Sequence, residues 1–188
     1  MRVSRPFISR AALLFTCATL SLLRADTRNI APDAVSRATI WNSHSGDLAD
    51  LIDGKAPPVD DARPFVWGTK GILVFEWTDP LPLDRVRIYV GEIGNNYQIR
   101  AYLGGRLDET GTLREPEGKQ TAFVEENARV VNQWLEIPLP EGTLADNIEL
   151  WSLGSTVFYE VEIYAHSADV TAVHPASWGQ VKARGVSP

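Results

Sequence analysis

Residues 157–164 read Val-Phe-Tyr-Glu-Val-Glu-Ile-Tyr. In a β-strand, successive side chains point to opposite faces. Val157, Tyr159, Val161 and Ile163 therefore fall on one side, and Phe158, Glu160, Glu162 and Tyr164 on the other. The stretch is rich in β-branched and aromatic residues and holds no Gly or Pro, which predicts a strand.

The same text recurs upstream. Arg85-Val-Arg-Ile-Tyr-Val90 puts Val86, Ile88 and Val90 in phase, and Tyr97-Gln-Ile-Arg-Ala-Tyr-Leu103 does the same with Tyr97, Ile99, Ala101 and Leu103. Ser36–Trp41, Ile72–Trp77, Gln120–Val124, Trp134–Leu139 and Asn147–Trp151 complete about eight strands. Asp79-Pro80 is expected to end one of them, and Pro138 must sit where no ladder donor is needed. Only Asp47–Asp53 has helical spacing, one or two turns ending at Gly54. Lys55–Pro64, with three Pro and two Asp, reads as a loop. Many short strands with turn chemistry at short intervals predict an all-β fold, a single β-sandwich or barrel.

The N-terminus is of a different kind. Arg2, Arg5 and Arg10 precede an uncharged apolar run, Ala11–Leu23. That run has the length of a signal-peptide core and is short for a membrane span. Residues 1–25 are expected to be a signal peptide, with an uncleaved anchor as the alternative, and the mature chain to be secreted or periplasmic. Its removal takes Arg2, Arg5, Arg10 and Arg24 and moves the formal charge from −6 to −10. So acidic a domain repels phosphate backbones, which argues against nucleic acid and anionic membrane surfaces as partners. Cys17 is the only cysteine and departs with the signal, leaving no disulfide and no thiol nucleophile. Residues 26–35 read as a polar leader, 36–165 as the domain, and 166–188 as a weakly patterned tail.

Five segments, taken in order, resemble the discoidin (coagulation-factor C-type) and family 32 carbohydrate-binding module group. They are Ser36-Arg-Ala-Thr39, Ala49-Asp-Leu-Ile-Asp-Gly54, Leu73–Tyr89 with its two strands, Tyr97–Gly105, and Tyr159-Glu-Val-Glu-Ile-Tyr-Ala165. The resemblance covers residues 36–165 and implies a galactose-binding-domain-like jelly roll. Two departures stand out. Trp67 lies fourteen residues after Asp53 where the family has about seven, with no Ser or Thr in the loop before it, and Ala165 stands at the usual final glycine.

The resemblance also implies one structural calcium ion, with Asp53 and Glu160 as its carboxylates. Asp53 as a turn cap and Glu160 as an edge residue is the competing reading. Calcium takes six to eight hard oxygens, which a kinked loop and a neighbouring strand can supply. Glu160 and Glu162 share a face, so mutual repulsion can raise a pKa, although a bound cation or an exposed face explains the pair more simply.

Sugar-binding sites stack a ring on an aromatic side chain and read hydroxyls with polar groups. Three loop stretches offer this: Trp41-Asn42-Ser43-His44, Phe65 with Trp67, and Asn95-Asn96-Tyr97 with Arg100. Each has a structural alternative, and Trp67 reads equally as core. The candidate ligand-binding residues are Trp41, Asn42, His44, Trp67, Asn96 and Arg100. No Ser-Gly elbow, zinc spacing or phosphate loop accompanies His44, His166 or His174. The expected function is a non-catalytic module recognising carbohydrate or a cell-surface glycan. A protein-interaction domain is the alternative, and a small β-sandwich hydrolase or lyase a third.

Overall fold

The computed structural model describes residues 26–38, 43–104 and 118–167. Residues 1–25, expected to be a signal peptide, and Trp41, Asn42 and the tail from residue 168 lie outside them. Among the described residues no helix is long and apolar enough to cross a membrane.

Among the described residues ten strands follow in chain order: β1 Thr27–Asn29, β2 Val35–Ala38, β3 His44–Ser45, β4 Phe65–Trp67, β5 Gly71–Val90, β6 Tyr97–Leu103, β7 Lys119–Glu126, β8 Gln133–Pro138, β9 Leu144–Ser152 and β10 Thr156–His166. Every pairing is antiparallel. They make a two-layered β-sandwich, as the alternation predicts. β1, β3 and β4 have two or three residues each, too few for a period to show in sequence.

β5 ties the layers together. Its first part, to Glu76, lies between β2 and β9 in one sheet, which continues through β6 to β7. Its last part, from Arg85, lies between β10 and β8 in the other. Asp79-Pro80 therefore does not end a strand. The register with β9 breaks between Glu76 and Leu81, where the chain passes from one layer to the next. Proline without an amide donor is tolerated at such a break and at an edge. Pro138 pairs only with β5, on the edge strand β8.

The core lies between the sheets. Leu73 and Phe75 from one half of β5 meet Val86, Ile88 and Val90 from the other, with Tyr97, Ile99, Ile148, Leu150, Phe158, Val161 and Ile163. The strict alternation expected along β10 fails at one point. Its register with β5 shifts between Phe158 and Glu160, so Tyr159 is the extra residue of a bulge. Phe158 consequently joins Val161 and Ile163 inside, because a bulge resets which face follows.

The expected leader belongs to the fold. β1 pairs with the end of β10, and Ile30 and Ala31 are buried in the core. The Ile30 carbonyl accepts the buried indole N–H of Trp77 at 3.1 Å, and the Ile30 amide donates to the Ile163 carbonyl at 2.7 Å. One apolar residue with satisfied backbone groups outweighs its polar neighbours. Ala49–Leu51 forms a 3-10 turn, as the helical spacing anticipated in short form, and anchors on buried Leu51.

Candidate functional site: a cleft on the outer face of the β6–β9 sheet

In β6 the inward phase is Tyr97, Ile99 and Ala101, all fully buried, which turns Gln98 and Arg100 outward. On β9 the inward residues Ile148 and Leu150 turn Glu149 and Trp151 the same way. The register places Gln98 opposite Trp151 and Arg100 opposite Glu149. Cross-strand and diagonal neighbours on one face are within reach of long side chains.

The Arg100 guanidinium lies 4.2 Å from the Trp151 ring centroid and 5.8 Å from that of Phe123 on β7. Its Nη2 donates to Gln98 Oε1 at 3.1 Å, and Gln98 Nε2 donates to Glu125 Oε1 at 3.1 Å. Trp151 Nε1 donates to Glu149 Oε2 at 2.8 Å. Burial pushes the Glu149 carboxyl above its ordinary pKa, against the opposing pull of the Trp151 N–H and the Arg100 charge. Beside these residues opens a cleft of about 400 Å³, lined by Lys70, Ile72, Gln98, Arg100, Trp151 and Leu153 among others. Its walls are mainly apolar with a few polar groups, the usual make-up of a small-ligand site.

Of the residues singled out in sequence, Arg100 lines the cleft. Asn96 supports its rim: its carbonyl accepts the Leu153 amide at 3.1 Å, while its side-chain oxygen accepts from Arg129 Nε at 3.1 Å. His44 is exposed on β3 and stacks on Phe65 with ring centroids 4.6 Å apart. Trp67 requires a correction. It is completely buried, edge-on to Phe65 and Phe158, and its indole lies against the Gly71 backbone. It offers no face to a sugar; a bulky apolar ring is stabilised most by full burial between the sheets.

Trp151, Gln98 and Ile72 were missed. The signal for Trp151 was present: Asn147-Ile-Glu-Leu-Trp151 places the indole on the polar phase of an alternating strand, and an aromatic out of phase with the core is a surface aromatic.

The Asp53-Gly54 loop packs on β10. Glu160 is buried, and its Oε2 accepts the backbone N–H groups of Gly54 and Lys55, each at 3.2 Å. Its Oε1 is buried without a hydrogen-bond partner. Burial raises the Glu160 pKa to about 8, with the charges of Asp53 and then Glu162 adding to it. The repulsion expected from Glu162 is thus secondary to desolvation. Lys55 Nζ lies 2.6 Å from Asp61 and 3.6 Å from Asp53. Among the described residues no group of three or more His, Cys, Asp or Glu is placed to hold a metal. The two carboxylates with the orphaned Oε1 suit a hard cation, provided that carbonyls and water complete its shell.

No protein-family model matches the chain, and no curated protein sequence matches it. Solved structures do. The family 32 carbohydrate-binding module of NanJ from Clostridium perfringens, solved with galactose, superposes with a TM-score of 0.52 at 14% identity, covering 74% of this chain and 99% of that one. The fold is the galactose-binding-like sandwich of the family 32 modules. A fucolectin from striped bass (Morone saxatilis) serum gives 0.53 at 15% identity, covering 74% of this chain and 49% of that one. Another family 32 module produced by C. perfringens, CpGH89CBM32-6, gives 0.50 at 16%, with 73% and 99% covered. On this galactose-binding-like frame the cleft occupies the outer face of the β6–β9 sheet, bordered by the β4–β5 and β9–β10 turns.

Proposed function

We propose that this chain is a secreted or periplasmic, non-catalytic module that recognises carbohydrate, and that the cleft beside Trp151 is its binding site. One observation carries the reading. A half-buried indole on the outer face of a sheet borders a cleft that also holds an arginine and a glutamine. An indole edge and aliphatic walls suit the C–H faces of a sugar, and Arg and Gln suit its oxygens. The likeness to family 32 modules, one of them solved with galactose, supports the same class of ligand. A glycan-array screen of the protein and its Trp151→Ala variant tests it. Binding by the wild type that the folded variant lacks is expected; binding by both would move the site elsewhere.

Within the same proposal, one structural calcium ion is held by Asp53 and Glu160. The ion would supply the counter-charge that the buried carboxyl lacks and would fix the Asp53-Gly54 loop on β10. Thermal unfolding with calcium and with chelator tests this without reference to sugar binding.

One observation favours a second reading, a protein partner. Ile93, Val131 and Leu153 are exposed on three loops joined by backbone hydrogen bonds, Asn132 to Gly91 at 3.0 Å and Leu153 to Asn96 at 3.1 Å. Failure of a well-folded protein to bind any glycan would favour it.

A further inference from the structure

Among the described residues two arginines lie over tryptophan rings, and only one of them has an acidic partner there. On the outer face of the other sheet, Arg87 sits 4.3 Å from the Trp134 centroid, and its Nη1 is 2.6 Å from Glu162 Oε2. Stack and ion pair together satisfy that guanidinium, since Arg combines aromatic stacking with directed donors to carboxylate. Arg100 makes the same stack on Trp151 at 4.2 Å. Yet among the described residues no carboxylate lies within ion-pair distance of it. Its Nη2 is given to the neutral amide of Gln98, and its Nε has no partner.

The acid that the register sets opposite Arg100 is Glu149. It is buried and turned to the indole N–H of Trp151. Burial also favours its protonated form, which leaves the arginine's charge less compensated. Among the described residues lining the cleft, the ionisable ones are Lys70 and Arg100, and none is a carboxylate. In a chain of net charge −6, an arginine with no carboxylate partner among the described residues is a local reversal of sign. The walls around these cations include Ile72, Trp151 and Leu153.

We infer that the cleft takes a saccharide unit bearing a carboxylate, a uronic-acid residue, in preference to its neutral counterpart. The inference rests on the carbohydrate reading above. The sugar's C–H face packs on the apolar wall, and its carboxylate becomes the partner that Glu162 is to Arg87. Arg–carboxylate pairing is directional and frequently bidentate, and it strengthens where water is excluded.

The test is calorimetric titration of the full protein with galacturonate and glucuronate oligosaccharides and with the galactose and glucose oligosaccharides of the same linkage. The acidic sugars are expected to bind at least about tenfold more tightly, with the difference shrinking as salt is raised. Arg100→Gln is expected to bring the acidic and neutral affinities together; should that variant unfold, Lys70→Gln is expected to narrow the same ratio. Equal affinity of the wild type for acidic and neutral sugars overturns the inference and leaves the carbohydrate reading standing. No binding of any saccharide by folded protein overturns both.

Discussion

The guanidinium of Arg100 lies 4.2 Å from the centroid of the Trp151 indole, on the neighbouring strand of the same sheet. Trp67, in contrast, is completely buried between the sheets. The two tryptophans therefore answer differently to truncation. Trp151→Ala is expected to weaken glycan binding by at least about tenfold and to cost about 1–3 kcal/mol of stability, for the buried Glu149 carboxyl left without its indole donor. Trp67→Ala is expected to lose about 3–5 kcal/mol, the usual cost of removing a large core ring. Urea unfolding beside calorimetric titration separates the two. Equal destabilisation by both would refute the assignment of Trp151 to the surface.

Gly71 has no room for a side chain. A Cβ there would overlap the ring of Trp67, which is itself held by Phe65 and Phe158. Gly71→Ala is expected to cost about 1–3 kcal/mol, the range for overpacking a filled core. A chemical-denaturation midpoint unchanged from wild type would contradict this packing.

Ile30 is 1% exposed and its backbone closes hydrogen bonds to Trp77 and Ile163. Ile30→Ala is expected to cost about 2–5 kcal/mol, although the residue lies in a segment whose composition suggests a dispensable leader. Proteins trimmed to begin after residue 35 should unfold at a markedly lower temperature, measurable by calorimetry.

In chelator, the buried carboxyls set a pH dependence with a definite sign. Glu160 has its pKa raised to about 8 by burial, and Glu149 is raised from 4.5 for the same reason. Between the ordinary glutamate value and these raised ones, the folded chain holds protons that the unfolded chain has lost. Stability contributed by the protonated forms is therefore complete below the unfolded pKa, and Glu160's share is lost as pH rises toward 8. The expected loss over that window is a few kcal/mol, since one pKa unit corresponds to about 1.4 kcal/mol. Glu160→Gln should flatten the slope in urea titrations from pH 5 to pH 8; a wild-type curve already flat would count against a desolvated Glu160.

Calcium offers a separate measurement. A ligand held only by the folded state raises stability by mass action, about 2.7 kcal/mol at a hundred times its Kd. Added calcium is expected to raise the melting temperature at pH 7, and both Asp53→Asn and Glu160→Gln should remove the response. A melting temperature indifferent to calcium and to chelator would leave Glu160 as a buried neutral acid against the Gly54 and Lys55 amides.

The layered β-architecture was readable from local pattern, because a period of two survives in any strand long enough to show it. β9, the Tyr97–Ala101 part of β6 and the stretch of β10 from Glu160 to Tyr164 lie where alternation put them. The resemblance read from Ala49–Gly54 and Tyr159–Ala165 named the fold that the solved structures match. Arg100 was singled out for its chemistry, which side-chain type alone conveys.

Tertiary structure decided the rest. The burial of Trp67, the inclusion of Ile30, the passage of β5 through Pro80 and Pro82 and the bulge at Tyr159 each depend on partners distant in sequence. So does the cleft: Lys70 and Ile72 reach Trp151 and Arg100 only because β9 lies between β5 and β6. Periodicity tells which way a side chain faces. It does not tell which strand lies next to it, and a binding site is made by neighbours.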